Sequence, residues 1–93
     1  MRSVDLALYA DALAGEAVSM AARIERERGR ERQVVIERAA RAALAPFAVE
    51  RLHELGLLAT RADPVALAEL EASLDALEVL RAWVEEALMR AAA

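Results

Sequence analysis

The stretch Glu-Arg-Glu-Arg-Gly-Arg-Glu-Arg-Gln, residues 25–33, decides how this chain folds. Apart from the neutral Gly29 it contains no apolar residue, yet apolar periodicity runs up to it and resumes beyond it. Two readings follow. In the first, Gly29 ends a helix and the charges form an exposed turn. In the second, one helix crosses the whole stretch, since arginine and glutamate are good helix formers and an interior glycine costs only ~1 kcal/mol. No proline, asparagine, aspartate or serine in residues 25–33 assists a turn.

On the N-terminal side, Leu6, Ala10, Leu13, Ala17, Met20 and Ile24 recur with alternating spacings of four and three. That is a coiled-coil-like seam, and its alanines permit close approach of another helix. Ser3 is a candidate N-cap, with Asp5 near the positive end of the helix dipole.

On the C-terminal side, apolar residues resume at Val34, Val35, Ile36, Ala39, Ala40, Ala43 and Leu44. Pro46 then predicts a kink or boundary at Ala45, because the residue before proline is pushed out of the helical region. A short helix over residues 47–55 follows. Gly56 suits a left-handed C′ position, with Leu57 placed to touch Leu52 in a Schellman cap. Asp63 and Pro64 are a strong start signal, a capping carboxylate followed by proline at the first helical position. The last helix carries Leu67, Leu70, Leu74, Leu77, Val84 and Leu88 in the same alternation, and Arg81 occupies one seam position.

These signals predict a single all-α domain over residues 1–93, either an antiparallel helical bundle or a long helical hairpin with coiled-coil-like packing. If Gly29 breaks the chain, three segments (4–28, 30–55 kinked at Pro46, and 64–92) each span about 35–45 Å at the α-helical rise. If it does not, the first helix spans about 60 Å, more than the last helix can cover, and a second chain is expected to complete the fold. Composition agrees. Hydrophobic residues make up 58% of the chain but aromatics only 3%, so alanine and leucine dominate and strand formers are scarce.

Composition also narrows function. The net charge is −4, which disfavours a general nucleic-acid binder. Cysteine is absent, which excludes disulfides and thiolate metal sites. Arginine supplies every basic side chain, a bias that suggests a GC-rich bacterial genome. Asp5 interrupts the place where a signal peptide needs its apolar run, and no apolar run of about 18 residues is present. The expected location is the cytoplasm.

Three groups of residues invite a chemical reading. Glu50 and His53, at i and i+3, match the spacing by which bundles share a metal, with Glu16 as an extra ligand. Ala48, Leu52 and Leu55 define the side expected to be buried, with Glu50 nearly opposite and His53 on the flank, so a solvated pair is the plainer reading and no metal is expected. Arg81 in the seam must pair or snorkel, with Glu78 or Glu85 as partners. Its functional reading is an internal carboxylate site in a small enzyme.

The third group is an arginine-rich run: Arg23, Arg26, Arg28, Arg30, Arg32, Arg38 and Arg41, interleaved with Glu25, Glu27, Glu31 and Glu37. On a continuous helix, Ser19, Arg23, Arg26, Arg30, Gln33 and Glu37 share one line, which makes Arg23, Arg26, Arg30 and Gln33 candidates for binding a phosphate or nucleic acid. The glutamates favour a solvated face of ion pairs instead. Nucleophilic catalysis and phosphate loops have no support, and no cofactor is expected.

The function expected from these residues is therefore a helical interaction module of scaffolding or regulatory role. It would act as a homodimer or on a partner's helix, through Leu6, Leu13, Met20, Ile24, Leu67, Leu70, Leu74, Leu77, Val84 and Leu88. The alternative is a regulator that binds an anionic nucleotide or nucleic acid through its arginines.

Overall fold

A computed structural model describes residues 3–92. It contains a long helix α1 (Ser3–Ala43), a short helix α2 (Pro46–Glu54) and a long helix α3 (Pro64–Ala92). The chain is a helical hairpin: α1 and α3 pack against each other, and α2 lies at the closed end. The two long helices run antiparallel, since Arg28 meets Glu71 and Glu37 meets Thr60. The Cα atoms fill a rod of 70 × 18 × 15 Å.

Gly29 lies inside α1, so the division into segments 4–28 and 30–55 is replaced by one 41-residue helix. The reason is local. Helix formers flank the glycine on both sides, and Arg28–Glu25 and Arg30–Glu27 make i,i+3 ion pairs across the stretch. Arg28 also bonds Glu71 of α3 at 3.2 Å, which ties the stretch to its neighbour. The side chain of Ser3 lies outside the described residues, so its cap is not assessed.

The chain breaks where proline dictates. Ala45 is extended (φ −62, ψ 147), and its carbonyl accepts from Ala48 and Val49 as α2 begins. Helix α2 ends in a Schellman motif: Leu57 N–H donates to Leu52 O, Gly56 N–H donates to His53 O, and Gly56 has φ 73. Helix α3 starts at Pro64, with Asp63 Oδ1 accepting from Ala66 N–H at 3.0 Å. That start and its cap match the sequence expectation.

Helix α1 outruns α3 by about 18 Å, taking 41 and 29 residues at the α-helical rise. The chain itself covers part of the overhang. Residues 57–62 form a strap along the last turns of α1, and Leu58 is buried beneath it. Thr60 N–H donates to Glu37 Oε1 at 3.2 Å, and the Arg41 guanidinium donates to Leu58 O. The expectation that a long first helix needs a second chain to cover it is thus met in part from within.

The core is thin. Among the described residues only Ala17, Ile24, Leu58, Leu67 and Leu77 are buried hydrophobics, and no large side chain is fully enclosed. Two helices side by side can cover only one stripe each, so both broad faces and both outer edges of the pair stay open.

Candidate functional site

The seam predicted from spacing is occupied within the chain. Leu6, Leu13, Met20 and Ile24 of α1, and Leu67, Leu70, Leu74, Leu77, Val84 and Leu88 of α3, are all buried or half-buried along the α1–α3 packing. Their remaining exposure is edge surface. The large, fully open apolar side chains lie elsewhere, on positions the seam reading did not single out.

Helical geometry explains their placement. Two residues correspond to about 200° around a helix. Positions two removed from the seam therefore point away from the partner helix. On α1 these include Leu8 and Ala22, beside Leu6 and Ile24. Val4, Leu8, Val18 and Ile36 of α1 are 60–71% exposed. The outer edge of α3 presents Val65, Val79 and Trp83. A third apolar group, Leu44, Phe47, Leu55 and Leu57, surrounds the closed end, where α2 buries no residue.

This exposure has a measurable scale. A compact protein of 10.1 kDa exposes about 5,300 Å², whereas this chain exposes 6908 Å². Its radius of gyration is 21.1 Å, against about 12 Å for a compact chain of this length. The excess is about 1,600 Å² per chain, and Val4, Leu8, Val18 and Trp83 are among the large apolar side chains left open.

Charged residues form a second feature. Arg23, Arg26 and Arg30 line one open groove between α1 and α3, with Met20, Leu70 and Ser73 beside them. Gln33 is exposed but does not line that groove. Glu27 and Glu69 also line it, and Arg30 is ion-paired with Glu27, so two glutamates oppose three arginines. Arg23 and Arg26 have no ion pair among the described residues. On the opposite face Arg28 is held above its ordinary pKa by hydrogen bonds first to Glu25 and then to Glu71.

The remaining candidates are ordinary. Glu50 and His53 both face solvent on α2. Arg81 is in the seam, its side chain 29% exposed, and it bonds both oxygens of Glu78 at 3.1 and 3.3 Å. Of the two partners the spacing offers, Glu78 and Glu85, it takes Glu78. An i,i+3 pair of this kind contributes ~0.2–0.5 kcal/mol, less than an apolar side chain buried in its place. Arg81→Leu is therefore expected to stabilise the protein by ~1 kcal/mol, a rise of about 4–8 °C in Tm for a domain of this size. A thermal melt checks this, and an unchanged or lower Tm would show that the guanidinium is needed where it stands.

Glu37, expected among the solvated glutamates of the arginine run, is instead buried. It is 4% exposed, the one buried charged residue among those described. Oε1 accepts from Thr60, whereas Oε2 has no hydrogen-bond partner. The alternation is a weak guide to it: continued past Ile24 it reaches Glu27, Glu31, Val34 and then Arg38, one residue beyond Glu37. The arginines around these glutamates made the run read as uniformly solvated.

No protein-family model, curated protein or solved structure matches this chain.

Proposed function

We propose that this chain is a helical interaction module that works by self-association, with a scaffolding or regulatory role and no catalysis. The supporting observation is the excess surface of about 1,600 Å² over a compact chain of this mass. Two copies that each hid this excess would bury about 3,200 Å², within the 2,000–5,000 Å² typical of obligate dimers. A thin core gives the association a thermodynamic reason, since covering open apolar side chains between two copies adds to the little that two helices enclose.

Solution mass by light scattering, at low and at high salt, tests the proposal. A dimer at both salts is the expected result, because apolar burial is weakly sensitive to salt. A monomer at micromolar concentration in both conditions overturns it.

The grouping of Arg23, Arg26 and Arg30 supports a second reading, an anionic nucleotide or nucleic acid in their groove. Its signature is an affinity for duplex DNA or ATP that falls steeply with salt. Glu27 and Glu69 in the same groove weigh against it, which is why self-association ranks first.

A further inference from the structure

We propose that the outer face of α1 is the self-association surface, and that two copies pair there antiparallel about Ala22. The inference rests on self-association and adds to it the face and the direction. Its starting point is a repeat of seven on the side of α1 turned away from α3. Leu8, Gly15, Ala22, Gly29 and Ile36 are each seven residues apart. Such a row stays on one side of a supercoiled helix.

The row is a palindrome in size: large, glycine, alanine, glycine, large. Rotating a second copy by half a turn about Ala22 sets Leu8 against Ile36 of that copy. Gly15 then meets Gly29, and Ala22 meets itself. Val4 and Val18 continue the apolar surface along one side. Every contact occurs twice, as a two-fold interface requires.

Within one chain the glycines have no packing reason to be glycine. A Cβ on Gly15 would meet nothing within 4 Å. One on Gly29 would meet only the end of the Arg32 side chain, at 3.7 Å. Both positions are costly inside a helix, and both open the face to a closely approaching backbone.

The charge along α1 fixes the direction. Residues 4–20 of α1 carry Asp5, Asp11 and Glu16 and no arginine, whereas residues 21–43 carry seven arginines against four glutamates. An antiparallel pair lays the acidic half of each α1 on the basic half of the other, with Asp11 level with Gln33 and one residue from Arg32. A parallel pair lays like on like. The outer edge of α3 is a poorer self-partner, because six acids and two arginines make that helix repel its own copy.

Cysteine cross-linking tests the arrangement, since the chain has no cysteine of its own. Under mild aerobic oxidation Ala22→Cys is expected to form a covalent dimer. Leu8→Cys alone is not, because the two copies of residue 8 lie 28 residues, about 42 Å, apart along the pair. A mixture of Leu8→Cys and Ile36→Cys is expected to cross-link between the two variants. Gly15→Leu is expected to raise the dimer Kd at least tenfold, while Trp83→Ala on the α3 edge leaves it within twofold.

Cross-linking of Leu8→Cys with itself, or a dimer indifferent to Gly15→Leu but broken by Trp83→Ala, overturns this arrangement. A wild-type dimer in which neither Ala22→Cys nor the mixture cross-links overturns it as well, and all three results leave self-association standing. A wild-type monomer overturns both.

Discussion

Replacing Gly29 with proline is expected to cost at least about 3 kcal/mol of stability, the cost of proline inside a helix. Gly29 sits well inside a 41-residue helix, about two thirds of the way along, where amides bond back four residues. Proline there removes the amide and drives its ring into the carbonyl one turn earlier. The break falls between Ile24, which is buried, and Val34, which is half-buried, so both sides of the seam lose register with α3. With so thin a core, few contacts elsewhere hold the register. Thermal melts followed by far-ultraviolet circular dichroism should show a fall in Tm of more than about 10 °C, by the usual conversion for a domain of this size. A loss of less than ~1 kcal/mol would mean that the chain turns at Gly29 after all, since proline is tolerated at a turn but not in a helix interior.

Glu37→Ala is expected to destabilise by about 1–2 kcal/mol, the lower part of the cost of leaving a donor unpaired, because the Thr60 amide is only partly buried. The carboxylate is the anchor by which α1 holds the strap, and its loss orphans the Thr60 amide. Burial of Leu58 beside it depends on the strap staying down. Part of the loss is offset, because the alanine variant no longer buries the unpartnered Oε2. Glu37→Gln keeps an acceptor oxygen for Thr60 and removes the charge, so its cost should be smaller. Urea denaturation gives the two values. Limited proteolysis adds a local readout, with residues 57–62 cleaved faster in the alanine variant than in the parent. A Glu37→Ala protein of parental stability with a protected strap would show that Leu58 and Arg41 hold the strap unaided.

Much of this architecture was legible because it is local. Pro46 and Pro64 have no alternative to restricting the backbone before them, and both helix boundaries fall where they dictate. Gly56 and Asp63 act through groups two to five residues away, so the Schellman motif and the cap were readable without knowledge of the fold. Gly29 was ambiguous for a physical reason. A penalty of ~1 kcal/mol in a run of strong helix formers is too small to decide alone. The ion pairs around it and the grip of Glu71 from α3 favour the continuous helix.

The candidate site divides in the same way. Periodicity alone determined which residues of α1 and α3 form an apolar seam, because helical spacing puts them on one side whatever lies opposite. It could not determine what lies opposite. An intramolecular helix and a second chain present the same demand to a seam, and only the return of α3 along α1 shows that the chain meets that demand itself. That return turns Val4, Leu8, Val18, Ile36 and Trp83 outward and leaves them uncovered. It also brings Thr60 to Glu37, a contact 23 residues apart that no local pattern encodes. Short-range sterics and spacing are properties of the chain, whereas which face remains open depends on how distant segments meet.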